Sequence, residues 1–290
     1  MNYRYTAVIA TISNSLCDAV LDYAVNKFNY YKILLFTSIV AFLIQFAWGG
    51  FLGIEFTAAA LPYIFIHSFL VLLGYVCFVK ALEYLPLALI GLLETSHLFI
   101  TLIIDAIIGY ISITPYFLMM FVLFIFSIIL FSRDCLNHDK HCLKNLKFQG
   151  FIWALTSVIF YAAAPYLIKI SNVHGANEIA INLGYYFIAI PYFFYFYISS
   201  KSLPHLASAA KWWHNIIFLS LIIGVLESAY YILETFSFIN DAPTIVMIIE
   251  QMRIFLIFGL SVLFKMDNFT IQKTIALVLG IISVIGIYYS

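Results

Sequence analysis

Glu94 and Glu250 stand 156 residues apart and occupy matching places in two halves that repeat each other. With that offset, Leu85 to Phe131 lies over Asp241 to Ile287. Leu92-Leu93-Glu94 falls on Ile248-Ile249-Glu250, and Tyr110 falls on Met266. Each glutamate sits well inside an apolar stretch of about 25 residues, long enough to cross a bilayer. A carboxylate at that depth costs several kcal/mol unless it faces protein or water. A chain that bears this cost at equivalent points of two repeats predicts a site at a repeat interface.

The surroundings of the glutamates decide the fold class. Hydrophobic residues make up 64% of the chain and charged residues 10%, with a mean hydropathy of +1.04, which excludes an ordinary soluble domain. The formal net charge is zero, so composition points to no nucleic-acid partner. Ten apolar segments run over 3–26, 31–52, 60–80, 86–109, 114–132, 148–169, 177–199, 213–239, 242–264 and 269–289. No alternating strands are present to make a β-barrel. The prediction is an all-α integral membrane protein with ten transmembrane helices in two inverted five-helix repeats. The first repeat takes 1–132 and the second 148–290, with a central polar loop at 133–147. Five spans per half put the halves in opposite orientations. The first segment carries Asp18 and Asp22 and lacks a small-residue cleavage site, so it reads as a retained helix.

Lys and Arg set the orientation. The loops after odd segments hold Lys27, Lys32, Lys80, Arg133, Lys140, Lys144, Lys147, Lys201, Lys211, Lys265 and Lys273, while the other side has only Arg4 and Lys169. Both termini are therefore expected outside an inner or plasma membrane.

Polar residues inside the segments are the candidates for chemistry. Glu94, His97, Thr101 and Asp105 fall at spacings of three, four and four, which puts them on one face of segment 4. A Glu–His pair one turn apart can pass a proton. In segment 9, Glu250 and Arg253 share a face, and Arg253 is the one basic residue deep inside a span. Its fork suits a carboxylate or phosphate, and pairing with Glu250 is the alternative. Segment 8 puts Glu227, Tyr230, Tyr231 and Glu234 on one face, and segment 1 puts Asp18 and Asp22 one turn apart. Asp18, Asp105 and Glu234 lie near segment ends, where water is the simpler environment. Tyr161, Tyr166, Tyr185 and Tyr186 are further cavity candidates.

The expected substrate- or proton-binding set is Glu94, His97, Glu250, Arg253, Glu227, Tyr230, Tyr231 and Asp22. Seven deep acids against one arginine favour an amine-bearing solute, and aromatic faces add cation–π attraction. The loop run Cys135, His138, His141 and Cys142 lacks two separated ligand pairs, so no metal is expected. No nucleotide-binding motif appears, and no cofactor is expected.

Ala81-Leu82-Glu83-Tyr84-Leu85-Pro86-Leu87-Ala88, Leu92-Leu93-Glu94 and Ile107-Ile108-Gly109 resemble the drug/metabolite transporter superfamily, in its ten-helix EamA-type branch. Asp241-Ala242-Pro243, Glu250 and Met266-Asp267-Asn268 repeat the pattern loosely in the second half. The resemblance implies transport of a small metabolite or drug, not enzymatic turnover. Taken with the charge balance, it leads to a proton-linked transporter of an amino acid or an amino-acid-derived zwitterion, working by alternating access. An exporter of organic cations is the nearer alternative. An intramembrane enzyme using Glu94 and His97 on a lipid head group is the more distant one. The partners expected are a small-molecule substrate, protons and the lipid bilayer, with no statement on oligomeric state.

Overall fold

The structure, a computed structural model, describes residues 3–25, 30–82, 84–85, 93, 95–138, 148–200, 213–253, 255–256 and 270–289. Among them are ten helices and no strand: α1 Tyr3–Val25, α2 Tyr30–Leu52, α3 Leu61–Leu82, α4 His97–Ile108 and α5 Pro115–His138, then α6 Phe148–Val173, α7 Glu178–Ser200, α8 Trp213–Asn240, α9 Pro243–Glu250 and α10 Ile271–Tyr288. Five stretches are long and apolar enough to cross a membrane: Tyr31–Leu52, Leu61–Phe78, Phe148–Val173, Glu178–Ser199 and Asn215–Asn240. Helices suit such a sequence because each closes its own backbone hydrogen bonds where lipid offers none. Pro165 and Pro191 sit inside α6 and α7, which continue through them.

The chain forms two compact units. One contains Tyr5–Leu72 and Leu167–Ile239, and the other contains Leu73–Tyr166 and Asn240–Ser290 with Asn2–Arg4. Neither unit is a sequence half, since each takes helices from both.

In the first unit α2 packs on α7. Tyr31 meets Phe196, Phe42 meets Phe187, and Gly49 approaches Ile179, so the two helices run antiparallel. The links at one end of the pair are tied together as well. Asn177 donates its backbone N–H to Glu55 O (2.9 Å) and its amide to Gly53 O (3.0 Å).

In the second unit α5 packs on α10, again antiparallel. Gln272 reaches Leu130 O, Gly280 faces Ser127, and Gly286 faces Met120. Elsewhere in this unit Ala81, Leu85 and Ala154 form a buried cluster that packs with Phe78, Tyr84, Leu93 and Phe151.

Glycine supplies the close approaches, as expected where van der Waals packing drives helix association. A Cβ on Gly184 of α7 would lie 2.3 Å from Ile64 Cγ2, whereas one on Gly50 of α2 meets nothing within 4 Å. Gly184→Ala is therefore expected to destabilise the purified protein by about 1–3 kcal/mol through overpacking. Gly50→Ala should leave the melting curve in place. Equal melting temperatures for the two variants would contradict the packing described.

Two expectations about lysines change. The charge count groups Lys32 and Lys273 with the loops, but both are buried within α2 and α10. Lys169 lies inside α6 and donates to Ile239 O at 3.3 Å, near the end of α8.

Candidate functional site

Segments 4 and 9 read as continuous spans, yet among the described residues each carries a turn directly after its matched glutamate. Helical Leu93 is followed by a turn at Thr95–Ser96 before α4 begins at His97. In the other half α9 ends at Glu250, a turn follows at Gln251–Met252, and helix resumes at Arg253. Two hydrogen bonds of the turns match at the 156-residue offset. Ser96 N donates to Leu93 O (3.0 Å) and Phe99 N to Ser96 O (3.1 Å). With the 156-residue offset, Met252 N donates to Ile249 O (3.1 Å) and Phe255 N to Met252 O (3.1 Å).

These i→i+3 bonds mark a tightened turn, a feature that inside a helix often accompanies a functional hinge. Thr95, His97 and Gln251 are buried at the two turns, so polar chain is turned toward protein, as a membrane interior requires. Glu250 and Arg253 are half-buried. Glu94 lies outside the described residues.

α4 and α9 pack together within the second unit. His97, Thr101 and Asp105 form the buried face of α4 that their spacing predicted, along with Leu98 and Leu102. Asp105 corrects the expectation of a watery helix end, because it is 0% exposed. Its Oδ1 accepts from the Tyr166 hydroxyl at 2.8 Å, and its Oδ2 accepts from Thr244 N at 2.8 Å. Thr101 O lies 3.0 Å from the same hydroxyl, as a second acceptor for its single proton.

The reason lies in the start of α9. Pro243 occupies the first turn and Ala242 supplies no side-chain cap, so a free helical N–H needs an acceptor from elsewhere. Asp105 provides it, and thereby fastens the glutamate-bearing α9 to α4. An uncapped Pro-led helix was the sequence signal for this partner.

A second polar cluster forms in the first unit. Glu227, Tyr230, Tyr231 and Glu234 share a face of α8, as their spacing predicted, and each is half-buried. Tyr230 donates to Glu234 Oε1. On α7, Tyr185 and Tyr186 are buried against them. The Tyr185 and Tyr231 ring centres are 5.5 Å apart, those of Tyr186 and Tyr231 6.1 Å, and those of Tyr230 and Tyr231 5.0 Å. The Glu227 carboxylate acts electrostatically on the phenols of Tyr185, Tyr186 and Tyr231. Asn182, which no spacing argument singled out, joins the cluster one turn before Tyr186. Thr235 Oγ1 donates to its Oδ1 at 2.8 Å.

Of the expected residues, His97, Glu250 and Arg253 thus belong to one unit and Glu227, Tyr230 and Tyr231 to the other. Asp22 lies on α1, with its side chain outside the described residues. The expected polar loop at 133–147 begins later, because α5 continues through His138; Cys135 and His138 lie on that helix with side chains outside the described residues, and His141 and Cys142 lie outside them altogether.

No family model and no curated protein matches the chain. Solved structures do match it. One crystal structure of a protein superposes with a TM-score of 0.74 over 99% of this chain and 96% of the other, at 13% identity. Likeness at that identity concerns the fold, and a shared fold does not carry a function with it. The class defined so far is an all-helical protein with helices fit to cross a membrane.

Proposed function

We propose that the chain is a membrane transporter of ten spans in two inverted five-helix repeats, moving a small amine-bearing solute by alternating access. The observation that carries this reading is the pair of matched turns beside Glu94 and Glu250. Interrupted helices at equivalent points of two repeats are a recurrent way to build a transport site. The antiparallel course of α2 with α7 and of α5 with α10 supports the inversion. These are equivalent segments of the two halves, and an axis in the membrane plane reverses direction between equivalents. The resemblance to EamA-type drug/metabolite transporters agrees with this.

In this mechanism Glu94 and Glu250 hold a proton or the substrate's ammonium, and rocking of the repeats exposes them in turn to either side. Arg253 takes a carboxylate if the solute is a zwitterion. The charge bias puts both termini outside an inner or plasma membrane. The sequence offers no nucleophile motif beside Glu94 and His97, so the enzyme reading stays the more distant alternative.

The test is uptake into proteoliposomes under an imposed pH gradient, with radiolabelled amino acids, amines, sugars and nucleotides. Accumulation of an amine-bearing solute, collapsing with the gradient, is the expected result. Uptake confined to sugars or nucleotides would remove the charge argument. Chemical conversion of the solute would replace transport with catalysis.

A further inference from the structure

The α7–α8 cluster contains more polar capacity than a brace between two helices needs. Two of its bonds close as a brace would: Thr235 to Asn182 Oδ1 and Tyr230 to Glu234. The Asn182 amide nitrogen does not. Asn182 is 2% exposed, yet its Nδ2 has no hydrogen-bond partner among the described residues. The Tyr186 hydroxyl, on a residue 0% exposed, is buried with the Glu227 carboxylate as its polar neighbour.

A primary amide carries two N–H donors, and leaving them buried and unmade costs free energy that lipid cannot return. What they lack is an acceptor. Beside them, the mutually touching rings of Tyr185, Tyr186 and Tyr231 present electron-rich faces next to a carboxylate. That combination attracts an organic cation. On α7 Tyr185 and Tyr186 are buried, while Glu227, Tyr230 and Tyr231 of α8 keep partial exposure.

We propose that this cluster is a binding site for an organic ammonium that also carries a hydrogen-bond acceptor. The ammonium lies against Glu227 and the rings of Tyr185 and Tyr231, and the acceptor takes the N–H groups of Asn182. Asn182 and Tyr185 are three residues apart on α7, a rise of about 4.5 Å, and this sets the spacing of the two ligand groups. The assignment rests on the transport reading and deepens it by giving the solute's charge pattern.

The probes are three chains of equal length: γ-aminobutyrate with both groups, butylammonium with the cation alone, and butyrate with the acceptor alone. Each is titrated against the purified full chain in detergent, following thermal stabilisation, which grows with ligand occupancy. γ-Aminobutyrate should stabilise most, butylammonium less, and butyrate not at all. Glu227→Gln should weaken both ammonium probes by about tenfold or more. Asn182→Ala should weaken γ-aminobutyrate down to the level of butylammonium.

If Glu227→Gln does not fold, Tyr231→Leu against Tyr231→Phe keeps the test open. The first loses ammonium binding, and the second, which retains the ring, keeps it. Equal response to butyrate and butylammonium, or ammonium binding unchanged in both Glu227→Gln and Tyr231→Leu, overturns the site. Vesicle uptake separates the two claims. Ammonium binding that needs Glu227 without any flux sinks transport and leaves the site. Flux of these ammonium probes that ignores Glu227→Gln sinks the site and leaves transport.

Discussion

Glu250→Gln is expected to abolish gradient-driven uptake in proteoliposomes while leaving the protein folded, and Glu94→Gln should do the same. The substitution keeps size and hydrogen-bonding capacity but removes the group that exchanges a proton and that meets an ammonium as an anion. A hydrogen bond to a charged group contributes about 1.5–3 kcal/mol, so apparent affinity should fall by about 10- to 100-fold. The effect on proton coupling is larger, because a glutamine has no proton to trade in this range.

The turns give the prediction its symmetry. Ser96 N to Leu93 O and Met252 N to Ile249 O are the same bond in the two halves. A mechanism that exposes the halves alternately therefore places equal demands on both acids. Melting temperatures close to the parent's, with uptake lost in both variants, is the expected pattern. Normal uptake across pH by both would remove the glutamates from the mechanism. Loss in only one would leave a carrier without the proposed symmetry.

Much of the architecture was legible in the sequence because membrane helices obey few rules. Ten apolar segments led to the ten helices described, with ends shifted by a few residues for most. The spacing of His97, Thr101 and Asp105 gave their common buried face, and that of Glu227, Tyr230, Tyr231 and Glu234 gave theirs. Three features escaped for identifiable reasons. The turns at Thr95–Ser96 and Gln251–Met252 carry no Gly or Pro, so hydropathy runs through them unbroken. Asp105 was judged from its distance to a segment end, whereas its environment is set by Tyr166 and Thr244, which lie 61 and 139 residues away in the chain. Asn182 is a neutral residue in an otherwise apolar stretch of α7, one turn after Glu178 at the helix start. Its role depends on residues of α8. In each case local pattern was silent and a long-range partner decided.

Asp105→Ala should be the most damaging single change to stability in the second unit. It leaves the Thr244 backbone N–H without its acceptor, at about 1–3 kcal/mol, and leaves the half-buried Tyr166 hydroxyl with Thr101 O alone. Thr244 is the costlier loss, since the first turn of α9 has no side-chain cap at Ala242 to substitute. Asp105→Asn keeps one carbonyl acceptor but points an NH₂ at a donor, so it should fall between Ala and the parent. Tyr166→Phe removes a donor along with its need for an acceptor and leaves Asp105 bonded to Thr244, and it should cost least. The expected order of melting temperatures is parent, Tyr166→Phe, Asp105→Asn, Asp105→Ala. The Tyr166→Phe/Asp105→Asn double variant should lose less than the sum of the two singles, because the pair is in direct contact. Because Asp105 holds the helix that ends in Glu250, uptake should fail in Asp105→Ala even at temperatures where the protein stays folded. An Asp105→Ala protein that melts with the parent and transports normally would show that this bond neither stabilises α9 nor positions its glutamate.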